Sequence, residues 1–506
     1  MPFLDWVNKN YAKETAREVP YHLLRQESVH GDISGANADN LLIQGDNLLA
    51  LKALLPFYAG RVKCIFIDPP YNTQSAFEHY DDKLEHSQWL TTMYPRLVLL
   101  RDLLASTGSI WVSLDDTEAH YMKVLMDEVF GRSCFVANII WEKADSPRNS
   151  ARQFSTDHDH LFVYSRNPDW QPARLPRTAA ANSIYSNPDK DERGAWLPGD
   201  PYANKPYSKG LYSMTGPTGR VFTPPPGRYW RISEDKFRLL DEDGRIWWGP
   251  TQDARPSIKR YLSEVADLVP RTLWKKDDVG SNRTSKNEMR ALFPQQASFD
   301  TPKPEALVSR ALQIATAPGE LVLDSFLGSG TTAAVAHKMG RRYIGIEMGD
   351  HARTHCVPRL QKVIDGEQGG ISESVGWQGG GGFRFCSLGE AAFDSDGRIN
   401  GAVKFATLAA YVWHFETGEP ASQRFGSPLL GIHEGTAYHL LYNGILGDRK
   451  PESGNVLTHQ VLQAIKEVFP HDGPRVVYGE VSRIGSSRLA AEGITFKQIP
   501  YDIQMR

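Results

Sequence analysis

The sequence predicts an α/β fold built on a mainly parallel sheet, interrupted by an inserted segment and followed by a smaller α/β region. Three observations carry this. Short apolar β-type runs alternate with stretches of helical periodicity on both sides of the chain's middle. Two of these runs lead directly into chemically distinctive turns, Cys64-Ile65-Phe66-Ile67 into Asp68-Pro69-Pro70-Tyr71 and Leu321-Val322-Leu323 into Asp324-Ser325-Phe326-Leu327-Gly328-Ser329-Gly330-Thr331-Thr332. Such turns lie where parallel sheets place their chemistry, outside the carboxyl ends of the strands. Between about 141 and 300 the alternation lapses, and Pro, Gly, Trp, Tyr and Arg accumulate.

In chain order, residues 1–40 are polar with little periodicity and read as an arm. Leu41-Leu42-Ile43 reads as a short buried strand, Gly45-Asp46-Asn47 as its turn, and Leu48, Leu51, Leu54 and Leu55 as the stripe of a helix stopped near Pro56. The Cys64–Ile67 strand follows. Trp89 to Leu104 has helical spacing, Ser109-Ile110-Trp111-Val112-Ser113 reads as a strand, and Glu118–Phe130 as a helix after the Asp115-Asp116 loop. The pattern resumes near 303 with a helix to Ile314, a strand over 320–324, a helix from Thr331 to Met339 and a strand from Arg342 to Glu347, one βαβ unit. Gly379-Gly380-Gly381-Gly382 reads as a flexible junction. Beyond it, Val456–Val468 reads as a helix and Arg475-Val476-Val477-Tyr478 as a strand, with no catalytic motif. The expected division is therefore 1–40, 41–165, 166–298, 299–376 and 383–506.

Composition sets loose bounds. A chain of 506 residues supports two or three domains with real cores, and 41% hydrophobic with 23% charged residues is ordinary for a soluble enzyme. The net charge of -3 makes any nucleic-acid face a local one. Cys64, Cys134, Cys356 and Cys386 lack CxxC spacing, which argues against a structural zinc site or a disulfide framework, so no metal is expected. With no signal-like segment and no long apolar run, a cytoplasmic protein without a membrane span is expected.

Local charge appears in the insertion. Residues 201–300 hold 17 Lys plus Arg against 12 Asp plus Glu, interleaved with Tyr229, Trp230, Trp247, Trp248, Tyr261 and Trp274. Such a mixture suits phosphates and unstacked bases, and equally an irregular domain whose tryptophans fill its core.

The glycine segment fits a relaxed dinucleotide fingerprint, Gly328-x-Gly330-x-x-Ala333, with Glu347 placed to bind a ribose hydroxyl. It does not separate NAD from S-adenosylmethionine, and a plain strand-to-helix turn would look the same. Asp68-Pro69-Pro70-Tyr71 breaks the tie. An exocyclic base amine is a poor nucleophile because its lone pair is delocalised into the ring, and acceptors set against its N–H groups oppose that delocalisation. Asp68 supplies a carboxylate, Pro69 a carbonyl held in direction by two successive prolines, and Tyr71 a ring on which an extruded base can stack.

Together these motifs resemble the adenine-N6 DNA methyltransferases in which the catalytic motif precedes the cofactor motif, over roughly 40–165 and 295–350. Within the resemblance, Leu41–Leu48, including Asp46, is similar to the segment that helps hold the cofactor adenine, and Asp68-Pro69-Pro70-Tyr71-Asn72-Thr73 to the catalytic motif. Phe299-Asp300-Thr301-Pro302-Lys303-Pro304 is similar to the motif contacting the methionine end of the cofactor. Asp324, Phe326, Gly328, Gly330, Thr331, Thr332 and Glu347 fall in the methionine- and ribose-binding motifs. Gly-Asp-Asn-Leu-Leu-Ala-Leu-Lys, Trp247-Trp248-Gly249 and the C-terminal Phe496-Lys497-Gln498-Ile499-Pro500-Tyr501 resemble the modification subunits of type III restriction systems, for which this chain is short.

The resemblance implies a class I, Rossmann-like methyltransferase fold of circularly permuted motif order, with an inserted target-recognition domain and a C-terminal accessory domain. It implies S-adenosylmethionine as cofactor and methylation of adenine N6 in double-stranded DNA by base flipping, with a homodimer and a nuclease/helicase restriction subunit as the implied partners. Cytosine-N4 methylation and a stand-alone methyltransferase without a nuclease stay open. A DNA-binding module that has lost activity is opposed by intact Asp68, Gly328, Gly330 and Glu347, and an NAD-dependent oxidoreductase would leave Asp-Pro-Pro-Tyr without a role. Lys303 read alone is as well explained as a solvated charge at a helix start.

Overall fold

The computed structural model describes residues 4–35, 40–72, 85–147, 151–295, 299, 301–393, 399–421, 425–445 and 448–499. Thr73, Asp300, Pro500 and Tyr501 of the motifs above lie outside the described residues. The chain divides into two compact units, one formed by Met1–Ala173 with Arg271–Arg506 and one by Arg174–Pro270.

The first unit is organised by a ten-stranded sheet. Its strands along the chain are β1 (His22–Gly31), β2 (Leu41–Gln44), β3 (Val62–Ile67), β4 (Leu104–Leu114), β5 (Phe135–Glu142), β6 (His158–Ser165), β7 (Leu273–Trp274), β8 (Leu321–Asp324), β9 (Arg342–Glu347) and β10 (Gly382–Ala391). In space they run β1-β10-β2-β9-β8-β3-β4-β6-β5-β7. The stretch from β10 to β4 is parallel throughout, whereas β1 and β6 pair antiparallel with their neighbours. Strands β8 and β9 thus lie between β2 and β3, although about 250 residues separate them along the chain.

Helices α1 (Lys9–Glu18), α2 (Asn47–Tyr58), α3 (His86–Leu103) and α4 (Ala119–Phe130) belong to the first half, and α5 (Asn282–Leu292), α6 (Glu305–Ala315), α7 (Thr331–Lys338) and α8 (Val357–Ile364) to the second. Leu51, Leu54, Leu97, Leu100 and Met126 from the helices pack with Ile43, Ile65, Ile67, Val112, Leu323 and Ile346 from the strands in one core. The burial of β8 along its whole length, and of β3 at every position but Lys63, is what a parallel strand covered on both faces requires.

Several expectations need correction. Residues 1–40 are not simply an arm: α1 buries Ala12 and Ala16, and β1 pairs along β10 at the sheet edge. The solvent-facing side chains of an edge strand hide it from a search for apolar runs. The insertion expected at 166–298 is a separate unit only over 174–270. Residues 271–292 return to the main unit, where β7 pairs with β5 and Ser281 caps α5; a two-residue strand has no periodicity to detect. The glycine run at 379–382 is a built turn. Gly380 N–H donates to the Ile364 carbonyl (2.7 Å), Gly381 O accepts from Asp32 N–H (2.9 Å), and a Cβ on Gly382 would lie 2.5 Å from the His30 carbonyl oxygen. Glycine is required there by close backbone approach. The helix expected at Val456–Val468 starts at His459, because the Thr458 hydroxyl accepts from Val461 N–H as its cap while Val456–Leu457 pairs with Val481–Ser482. That C-terminal part carries a four-stranded sheet of its own, Leu429–His433, Thr436–Leu440, Arg475–Gly479 and Ile494–Gln498 in that spatial order. Among the described residues, no helix is long and apolar enough to cross a membrane.

The unit 174–270 consists of short strands around one aromatic cluster. Tyr202, Met214, Phe222, Trp230, Phe237, Ile246 and Trp248 form its core, and Trp230 Nε1–H donates to the Tyr212 carbonyl at 2.8 Å. This settles the two readings of its aromatics for Trp230, Trp248 and Tyr261: all three are buried packing residues. Trp274 is buried in β7, outside this unit. Several arginines are held by local acids, Arg228 and Arg255 by Asp200, Arg245 by Glu264, and Arg193 by Asp191. A unit with so little regular structure depends on a few large side chains, so Trp230→Ala should cost about 3–5 kcal/mol. Urea unfolding followed by tryptophan fluorescence would show that loss as an earlier transition, and a shift below about 1 kcal/mol would contradict it.

Candidate active site

The permuted order brings four strand ends side by side. The carboxyl termini of β2, β9, β8 and β3 are neighbours in the sheet, so the Gly45–Asn47 turn, Glu347, Asp324 and Asp68 form one row. Two hydrogen bonds tie the row together. Gly45 N–H donates to the Glu347 carbonyl (3.0 Å), and Asn47 Nδ2 donates to the Ser325 carbonyl (2.7 Å).

Asp68 leaves β3 with one oxygen paired, Lys303 Nζ donating to Oδ2 at 2.5 Å. Its Oδ1 is buried with no partner in hydrogen-bonding geometry among the described residues. Burial raises the Asp68 pKa above the usual carboxylate range, the Lys303 charge and hydrogen bond oppose that, and the nearby Asp159 adds to the rise. Lys303, between Pro302 and Pro304 just before α6, is only 10% exposed and sits 5.1 Å from the Tyr71 ring centre. The solvated-charge reading of Lys303 does not hold. Trp89 of α3 donates its Nε1–H to the Pro70 carbonyl (2.9 Å), which anchors the second proline of the turn.

Tyr71 is fixed by residues that the motif search missed. Its hydroxyl lies 2.7 Å from Ser113 Oγ and donates to Asp159 Oδ2 at 3.2 Å, while Lys143 Nζ holds Asp159 Oδ1 at 2.6 Å. Burial, then the Asp159 and Asp68 charges, push the Tyr71 pKa far up, so it stays a neutral phenol. Ser113 comes from the end of β4, Asp159 from β6 and Lys143 from just beyond β5. A weak pointer existed in the sequence: Asp159 lies in the polar stretch Asp157-His158-Asp159-His160 that leads directly into the apolar run Leu161-Phe162-Val163.

The glycine segment is held from within. Asp324 Oδ1 accepts from Phe326 N–H (2.9 Å) and Oδ2 from the Thr332 hydroxyl (2.6 Å), with the Asp324 carboxyl pushed up to about 7, chiefly by burial. Gly328 and Gly330 both have positive φ (56° and 84°), and Gly328 N–H donates to Glu347 Oε2 (2.7 Å). Glu347 Oε1 accepts from Gly349 N–H at 3.0 Å and lies 2.9 Å from His351 Nε2. The Thr331 hydroxyl turns inward, accepting from Arg359 (2.8 Å), which also pairs with buried Glu305 (2.9 Å). Phe326 is half-buried against the main core. A Cβ on Gly330 would meet Cys356 and Arg359 at ordinary contact distances, so its requirement for glycine is the left-handed backbone.

Asp46 is first of all a helix cap. Its Oδ1 accepts from Leu48 N–H (2.7 Å), and Arg96 of α3 donates to the same carboxylate at 3.3 Å and to Asn47 Oδ1 at 2.5 Å. At 40% exposure it keeps an open side. The structure therefore gathers Asp46, Asp68, Tyr71, Lys303, Asp324, Phe326, Gly328, Gly330 and Glu347 around one row of strand ends. It turns the side chains of Thr331 and Thr332 into the protein, where they shape the glycine loop.

Comparison with known proteins agrees with this architecture. A family model described as DNA methylase matches residues 62–356. A probable type III restriction-modification enzyme HindVI Mod subunit from Haemophilus influenzae is 34% identical over 71% of this chain and 55% of its own length. The StyLTI Mod subunit of Salmonella typhimurium is 32% identical over 65% of this chain and 55% of its own, and the EcoPI Mod subunit of Escherichia phage P1 is 30% identical over 66% and 60%. In these comparisons the chain spans a little over half the length of its curated relatives. The matched region takes in both motifs, the insertion between them and every strand from β3 to β9, and on that ground the chain belongs to the N6/N4 DNA methylase family.

Proposed function

We propose that this protein transfers a methyl group from S-adenosylmethionine to the N6 amine of adenine in duplex DNA, as the modification component of a restriction-modification system. One observation carries the reading: the Asp68-Pro69-Pro70-Tyr71 turn, braced by Trp89, Ser113 and Asp159, stands beside Asp324 and Glu347 in a single row of strand ends. The names of the Mod relatives support the DNA target and the association with a restriction partner.

The residues suit the cofactor. Asp68 Oδ1 and Ser325 Oγ are buried polar atoms without partners in hydrogen-bonding geometry among the described residues, at the ends of adjacent strands. Each such atom left unpaired costs about 1–3 kcal/mol, so the space between them favours a polar ligand. The three carboxylates Asp68, Asp324 and Glu347 favour a cationic one. When bound, the cofactor would supply a methyl group on a sulfonium, taken directly by the amine. Asp46 and Glu347 would meet its adenosine end, and Lys303, Phe326 and the Gly328–Gly330 backbone its methionine end.

The chain's own work is on the amine. Asp68 accepts one N–H and the Pro69 carbonyl the other, which draws the lone pair out of conjugation as the nitrogen turns toward the methyl. Tyr71, held at its hydroxyl, presents its ring to the extruded base. Lys303 keeps Asp68 in the charged form that can accept, against the burial that would neutralise it. Cytosine N4 could occupy the same acceptors. Mass spectrometry of nucleosides from DNA methylated by the purified protein decides the product: N6-methyladenine is expected, and N4-methylcytosine would move the assignment to cytosine.

Asp68→Ala should lower turnover by at least about 30-fold, because an acceptor used in the transition state contributes at least ~2 kcal/mol, while cofactor affinity by calorimetry largely survives. More than a tenth of wild-type turnover in the variant would defeat the assignment. Lys303→Met removes a cation that lowers the Asp68 pKa. That pKa should rise, and the acid limb of the kcat/KM profile should move to higher pH. An unmoved limb would show that Asp68 ionisation is independent of Lys303.

Sequence reading is proposed for the unit 174–270, whose basic side chains surround a closed aromatic core. Replacing this unit by that of a relative with different specificity should carry the methylated sequence with it, read by long-read sequencing of host DNA. An active chimera with unchanged specificity would place recognition elsewhere.

A further inference from the structure

We infer that this protein binds one divalent transition-metal ion of the zinc type on the face of β6 opposite the site, through Asp116, His158 and His160. The three side chains each bring a ligand atom to within 4.8 Å of the others. The register of β6 explains the gathering. Residues 158 and 160 are two apart, so they share one face of the strand, while Asp159 between them points the other way, to Tyr71 and Lys143. Leu114 at the end of β4 lies opposite His160, so the turn after β4 carries Asp116 onto the same face. His160 Nε2 and Asp116 Oδ1 are already 2.8 Å apart.

The surroundings have the form of a metal site rather than a chance cluster. His160 is buried, and its other ring nitrogen is held by the Asn138 side-chain amide (Nδ2 at 3.0 Å, Oδ1 at 3.3 Å), an outer contact of the kind that fixes a ligating imidazole. A third imidazole borders the cluster, the His120 ring on the first turn of α4 lying 6.0 Å from that of His160. Imidazole nitrogens with one carboxylate suit zinc and its neighbours rather than magnesium or calcium, which prefer oxygen. Bonds of about 2.0–2.2 Å would draw the ligand atoms to about 3.3 Å from one another. Asp116, which is 55% exposed, and half-buried His158 can supply that movement by side-chain rotation. A bound ion would clamp the end of β4 to β6, the two strands whose Ser113 and Asp159 hold Tyr71.

The test uses the full chain, freed of any affinity tag and stripped by a chelator. Zn²⁺ is titrated in competition with a chromophoric chelator, and Co²⁺ is followed by its visible absorption. One equivalent per chain is expected, with the cobalt bands of a low-coordinate N/O site. Asp116→Asn and His158→Ala, both at positions with room to change, should each weaken binding at least tenfold while far-UV circular dichroism stays unchanged. Absence of stoichiometric binding, or wild-type affinity in either variant, would overturn the inference.

Discussion

The site depends on hydrogen bonding between strands drawn from distant parts of the chain. Parallel strands cannot be joined by a tight turn, and the crossover from β2 to β3 leaves two places in the sheet to be filled from elsewhere in the chain. Here β8 and β9 fill the gap between β2 and β3. With that register in place Asp46, Glu347, Asp324 and Asp68 form a row. Asn47 and Gly45 then lock the turn of one half to the loop and strand end of the other.

A row of carboxylates at the floor of a buried site is electrostatically costly, and much of the local structure answers that cost. Asp324 has both oxygens hydrogen-bonded, Glu347 accepts two backbone N–H groups, and Asp68 is met by Lys303. Asp159, in turn, is met by Lys143. What these contacts leave over is a raised Asp324, near 7, and an unpaired oxygen on Asp68. Both would be relieved by a cation and an N–H donor, the charges and polarity that the proposed cofactor and base amine bring.

The same economy separates packing from recognition in the insertion. Short strands bury little backbone, so Trp230, Trp248 and Tyr202 are drawn into the core of the 174–270 unit, and its arginines are largely held by neighbouring acids. Basic and aromatic composition therefore described a folded domain first. Which of its polar side chains meet DNA is a question of surface geometry.

By itself the sequence determined the elements with strong local signals. The apolar runs of β3 and β8, the helices after them, the Asp-Pro-Pro-Tyr and glycine turns and the family resemblance were all legible, because strand propensity, helical periodicity and turn chemistry are properties of adjacent residues. Weak or short-lived periodicity hid β1, β7 and the true limits of the insertion. Only the tertiary structure decided what each marked residue faces. Thr331 turns to Arg359, Asp46 caps α2, Lys303 reaches Asp68, and Asp159 with Ser113 fixes Tyr71. These partners lie between 28 and 235 residues apart, the Asp46 cap excepted, and such pairings depend on strand register and side-chain direction, which no local window of sequence contains.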